Sequence, residues 1–78
     1  MNEEKLRMIF AEALEIELDQ VTDELSYNSI PQWDSLAHMA LITEIDDQFD
    51  TMLDTDDVLD MNTFAKAKEI LAKYDVQF

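Results

Sequence analysis

Cysteine is absent from the 78-residue chain, which excludes a disulfide framework, a thiolate nucleophile and zinc-finger ligand spacing. Glycine is absent as well. The acidic stretch DTMLDTDDVLD at 50–60 therefore lacks the central Gly of an EF-hand loop, and it lacks the terminal Glu too. Weak divalent binding by clustered carboxylates is its limit, and no dedicated metal site is expected. Cations are scarce: five Lys and Arg stand against nineteen Asp and Glu, for a net charge of −14. That balance argues against binding nucleic acid or an anionic membrane surface and calls for basic partners. No apolar run approaches the ~20 residues needed to span a bilayer, so no membrane insertion is expected. The first residues, Met-Asn-Glu-Glu-Lys, are acidic where a secretory or mitochondrial leader would be basic. The expectation is a soluble cytoplasmic monomer.

The chain does have helical periodicity. At 47% hydrophobic and 9% aromatic its composition is that of a small helical globule rather than an acidic disordered tail, and its length suits one domain over 1–78. Leu6, Ile9, Phe10, Ala13 and Leu14 recur at helical spacing. The spacing predicts a first helix, capped by Asn2, with Glu3 and Glu4 at its positive end, running to about Glu17. From Leu18 to Trp33 the periodicity lapses into a loop composition. A loop this long must pack on its own side chains. Leu18, Val21, Leu25, Tyr27 and Ile30 are expected to pin it, with a turn of helix near Val21 to Leu25. Pro31 disfavours helix at Ile30, so the next helix starts near Asp34.

That next run, Leu36 to Phe49, is the longest helical pattern. His38, Leu41, Ile42, Ile45 and Phe49 form its core stripe. Leu36, Met39, Ala40 and Thr43 fall on nearly the opposite side, with Asp46 and Asp47 beside them, either covered by a loop or left for a partner. Asp34 and Ser35 are both cap-forming residue types. Downstream, Asp54 or Thr55 caps a short helix carrying Val58, Leu59 and Met61. Asn62 or Thr63 caps a last one, with Phe64, Ala67, Ile70, Leu71 and Tyr74 inward and Lys66, Lys68 and Lys73 outside. The predicted fold is an all-α, small antiparallel four-helix bundle with a long first loop and a short third helix.

Ser35 opens the great helix in the sequence Trp33-Asp34-Ser35-Leu36. A hydrolytic serine needs a base and an oxyanion hole. The sole histidine, His38, lies three residues along the same helix and is read as a packing residue without a role, and the strand-turn-helix context of a nucleophile elbow is missing. Catalysis by this chain is not expected. A serine at a helix N-terminus is well placed to hold a phosphodiester, since unpaired N–H groups and the positive dipole end favour an anion there. It can equally be a simple cap.

Asp34-Ser35-Leu36 at the head of an amphipathic helix, in a short and very acidic chain with this helix order, resembles the acyl carrier proteins. The resemblance covers essentially the whole chain. It implies that Ser35 bears a covalent 4′-phosphopantetheine arm donated by coenzyme A, with Asp34 assisting the phosphopantetheinyl transferase. It implies that Val58, Leu59 and Met61 border an acyl pocket, and that Leu36, Met39, Asp46 and Asp47 meet basic patches on partner enzymes. Those partners would be the transferase, an acyl-loading ligase or acyltransferase, and a ketosynthase or other acyl-chain enzyme. Fatty-acid-synthesis carriers have a Gly shortly before the Asp, where this chain reads Pro31-Gln32-Trp33. In that respect it is similar to carriers of polyketide, modified-lipid or surface-polysaccharide assembly. Trp33 then either clamps the loop end or shields and presents the arm. The rival expectation is an acidic helical adaptor without a prosthetic group, docking through Leu36 and Met39.

Overall fold

The computed structural model describes residues 2–78, and helices account for its regular structure: α1 (Asn2–Leu14), α2 (Ser35–Phe49), α3 (Thr55–Asp60) and α4 (Phe64–Ala72). The described residues form no strand; one isolated antiparallel bridge joins Ser26 to Thr63. The helical bundle with its long first loop and short third helix is thus as the sequence predicts.

Helices α1, α2 and α4 bury most of the face their periodicity marks, with Ala11 buried where Ala13 is only half-buried and with His38 and Phe49 half-buried, whereas α3 buries Asp57 and leaves Leu59 exposed. Leu6, Ile9, Phe10 and Leu14 of α1, with Ala11, pack on Leu41, Ile42 and Ile45 of α2 and on Phe64, Ala67, Ile70 and Leu71 of α4 in one core. Aromatic rings fix its centre. Phe10 meets Phe64 edge-on at 5.0 Å and Trp33 edge-on at 5.5 Å, the offset arrangement that aromatic quadrupoles favour. Trp33 has no exposed surface. It clamps the loop end onto α1.

Without glycine, the helices must stop by other means, and here the structure corrects the sequence reading. Helix α1 ends at Leu14, not Glu17, because Glu15 adopts a left-handed conformation, φ 56°. The N–H of Ile16 then reaches back to Ala11 O (3.0 Å) and that of Glu15 to Glu12 O (3.4 Å), the paired bonds of a Schellman stop. Asp50 (φ 55°) ends α2, with Thr51 N–H bonded to Asp46 O. Asp75 (φ 68°) ends the turn after α4, with Val76 N–H bonded to Leu71 O. Tyr74 therefore lies just past the last helix rather than in it. Asn2 is also corrected: it sits within α1, and its side chain donates to Gln77 O (2.8 Å).

The long loop has a single turn of 3-10 helix at Leu18–Gln20, upstream of the predicted Val21 to Leu25. The Gln20 side chain closes that turn by accepting from Glu17 N. Leu18 does not pin the loop, being half exposed, whereas Val21 and Leu25 are buried. Two backbone bonds tie the loop to the head of α4: Tyr27 N to Asn62 O (2.8 Å) and Phe64 N to Leu25 O (3.1 Å). They set Tyr27 beside Asn62, across from the start of α2.

Candidate functional site

The start of α2 is fixed by Asp34, whose Oδ1 accepts from Ala37 N at 2.9 Å. The cap is therefore Asp34, and Ser35 is left free of that duty as the first residue of the helix, exposed to solvent. Its hydroxyl stands at the positive end of a fifteen-residue helix, where backbone N–H groups of the first turn lack intrahelical partners. These features suit a phosphate-linked arm: an accessible oxygen, a local field that favours an anion, and no competing structural bond.

Ser35 also sits on the rim of an apolar cavity of about 300 Å³, lined by Tyr27, Ser35, His38, Met39, Val58, Leu59, Met61 and Asn62. That is the lower end of the volume range of ligand pockets. Val58, Leu59 and Met61 are thus brought together with Ser35. Met61 is buried at the base, while Leu59 is 75% exposed at the edge. Tyr27, His38 and Asn62 are lining residues that sequence reasoning did not assign to a pocket. For His38 and Met39 the signal was present, since positions i+3 and i+4 share the face of Ser35 on a helix. For Tyr27 and Asn62 it was not, because their approach depends on the loop-to-α4 bonds.

His38 is half-buried and engaged at both nitrogens: Trp33 Nε1–H donates to Nδ1 (3.0 Å), and Nε2 lies 2.8 Å from Val58 O. It stacks on Trp33 at 6.0 Å and meets Tyr27 edge-on at 5.5 Å. With both nitrogens occupied it is not poised to deprotonate Ser35.

Helix α3 is held from its other side by Asp57, which is 4% exposed. Its carboxylate accepts from Lys73 Nζ (2.6 Å) and from Tyr74 Oη (2.5 Å). These bonds, that from Lys73 foremost, hold the Asp57 carboxyl below its ordinary value. The same carboxylate raises both partners, Lys73 and the Tyr74 phenol, chiefly by hydrogen bonding.

The exposed residues of α2 divide by position. Leu36 (82% exposed) and Met39 (57%) are not covered by any loop. They nevertheless face different places: Met39 lines the Ser35 cavity, whereas Leu36 borders a shallow depression with Gln32, Ala37 and Ala40. Asp46 and Asp47 lie three turns down the helix, roughly 17 Å along its axis from Ser35. Asp47 is exposed. Asp46 is half-buried, its Oδ1 accepting from Thr51 Oγ1 (2.9 Å) and Leu53 N (3.2 Å) to hold the turn before α3.

An acidic helical bundle that presents a hydroxyl at the lip of an apolar cavity has the make-up of a carrier module. The family model described as the phosphopantetheine attachment site matches residues 4–71, and the chain belongs to that family, the acyl carrier proteins, in which 4′-phosphopantetheine is attached covalently. Comparison with curated proteins finds no match. Carrier domains of this family are in general non-catalytic and work with modifying and acyl-processing enzymes. Among the described residues no helix is long and apolar enough to cross a membrane.

Proposed function

We propose that residues 1–78 form one acyl-carrier domain, a non-enzymatic tether whose 4′-phosphopantetheine is joined through Ser35 Oγ. We further propose that it serves fatty-acid, polyketide or specialised lipid or polysaccharide assembly. The observation that carries this reading is the exposed Ser35 hydroxyl on the rim of the apolar cavity, within a chain of the phosphopantetheine family. When bound, the arm supplies a terminal thiol on which an acyl group is held as a thioester, a reactive sulfur that this Cys-free chain lacks.

The chain's own residues do the rest. First-turn N–H groups and the dipole of α2 favour the negative charge beside Ser35. Asp34 fixes the helix start, so the hydroxyl meets the transferase in one orientation. Met39, Val58, Leu59 and Met61 offer apolar surface that removes an acyl chain from water at about 25 cal/mol per Å² buried. The exposed Leu36 and Met39 near Ser35, with exposed Asp47 and half-buried Asp46 farther down α2, are the partner-facing residues of this reading. A flexible methionine there suits several enzymes met in turn. Tethering then gives each enzyme a high effective concentration of substrate.

The test is intact mass after incubation with coenzyme A and a broad-specificity phosphopantetheinyl transferase. The wild-type chain is expected to gain the mass of one arm and Ser35→Ala none. No gain in the wild type, or an equal gain in Ser35→Ala, overturns the reading in favour of an acidic adaptor or another attachment point.

A further inference from the structure

His38 occupies an unusual junction. The Trp33 indole N–H can only donate, so Nδ1, which it meets at 3.0 Å, is the unprotonated acceptor. In the neutral ring the proton then resides on Nε2, which donates to Val58 O at 2.8 Å. That carbonyl is one of those a helix C-terminus leaves without an intrahelical partner. Met61 N takes Asp57 O, and Asn62 N, the donor that would continue the helix onto Val58 O, takes Asp60 O instead, so the imidazole satisfies Val58 O. The ring thus joins three elements: the buried Trp33 at the loop end, α2 through its own backbone, and the last turn of α3.

We propose that His38 is a positioning residue, a latch that sets how far α3 stands from α2 and thereby the size of the acyl group the Ser35 cavity admits. The proposal rests on the carrier reading above. Two facts support it. Val58, Leu59 and Met61 are the cavity wall contributed by α3 and the residue that follows it, and the latch attaches at Val58 itself. The opposite side of α3 is anchored through Asp57 to Lys73 and Tyr74, so outward movement of the wall requires the His38 to Val58 bond to open. A cavity of about 300 Å³ is small enough for that spacing to decide which chains fit.

The experiment loads the holo protein with straight-chain acyl groups from butanoyl to dodecanoyl and follows thioester cleavage by hydroxylamine. In the wild type, protection grows with chain length to a limit. In His38→Asn the side-chain oxygen still accepts from Trp33, but nothing reaches Val58 O, and the longest protected chain moves up by at least one member of the series. His38→Gln, which keeps a donor at the distance of Nε2, returns the limit to that of the wild type. An unaltered limit in His38→Asn, or no rescue by His38→Gln, overturns the latch. Absence of chain-dependent protection in the wild type overturns the pocket reading itself, and the latch with it. Should His38→Asn fail to fold, ring 15N spectra of the native protein carry the test. A bare Nδ1 and a protonated Nε2 are expected in the apo form, with the Nε2 signal shifting once the acyl chain exceeds the limit. A proton found on Nδ1, or a ring signal indifferent to chain length, refutes it.

Discussion

Three helix stops in a chain with no glycine fall on Glu15, Asp50 and Asp75, each left-handed. For an ordinary L-residue that conformation costs about 1–2 kcal/mol, and less for Asp and Asn. Glu15 is the least suited of the three. Glu15→Gly relieves the steric cost but adds freedom to the unfolded chain, leaving a net gain of about 0.5–1 kcal/mol and a melting temperature higher by roughly 2–8 °C. Asp50→Gly gains less. Thermal melts that show Glu15→Gly at or below the wild type would mean the left-handed turn is not a source of strain. The missing glycine also explains where the sequence misled. With no stop signal after Leu14, Ile16 continues the periodicity and the pattern runs three residues past the true end of the helix. By contrast Pro31 and Asp34 are explicit signals that place the start of α2 near Asp34, while the choice of Asp34 over Ser35 as the cap is seen only in the structure. For Trp33 the sequence leaves a clamp and a shield for the arm as alternatives, and its complete burial against Phe10 makes it a clamp. Its truncation to Ala is expected to cost about 3–5 kcal/mol, a large share of what a chain of this size has in total, so Trp33→Ala should be largely unfolded by circular dichroism.

Helix α3, only six residues long, is too short to persist on propensity and depends on its side contacts. That dependence was visible in the sequence, but its agents were not. Asp57 is one of nineteen acidic residues, and nothing local distinguishes it from Asp56. Only the approach of the α4 end brings Lys73 and Tyr74 to it, just as only the loop bonds bring Tyr27 and Asn62 to the pocket. Val58, Leu59 and Met61 line the cavity beside Ser35, and in the sequence only the family resemblance singles them out for a pocket. The pH dependence follows from the shifts. The folded Asp57 carboxyl lies below its unfolded value of ~3.9, so its contribution is present above that value and is lost as pH falls through the folded one. Lys73 and Tyr74 are raised. Their contributions hold at neutral pH and are lost as pH rises through their folded values, above ~10. Asp57→Asn isolates the effect from the other carboxylates. Its melting temperature is expected to lie below the wild type at pH 7, with the gap closing as pH falls below ~4, and amide exchange at Val58 and Met61 should be faster in the variant at pH 7. A gap that persists unchanged into acid would remove Asp57 ionisation as the anchor.

Charge acts on the molecule as a whole. Four of the five cations are spent internally. Lys68 bridges Glu3 and Asp23, tying α4 to α1 and the loop. Lys73 holds Asp57, Arg7 pairs with Glu3, and Lys5 lies over Phe49 while donating to Gln48 O. The remaining carboxylates repel one another across a body with a radius of gyration of 11.1 Å, comparable to the ~8–10 Å screening length near physiological ionic strength. Salt should therefore stabilise this fold. Among the described residues no group of three or more His, Asp or Glu side chains is arranged to hold a metal, so magnesium is expected to act in the same diffuse way, with a gradual rise in melting temperature and no sharp saturation. On the proposed carrier reading the same field would draw basic enzymes to α2, and there salt would act in the opposite sense, weakening the encounter. Asp47→Lys separates the two effects cleanly, because Asp47 is exposed whereas Asp46 holds a turn. The variant should melt no lower than the wild type, since it reduces the net charge from −14. Its transferase kcat/KM should fall several-fold at low salt and depend less on salt. A variant modified as fast as the wild type at every ionic strength would show that the acidic end of α2 does not guide the transferase, and a wild type whose melting temperature is unmoved by salt would show that self-repulsion does not limit the fold.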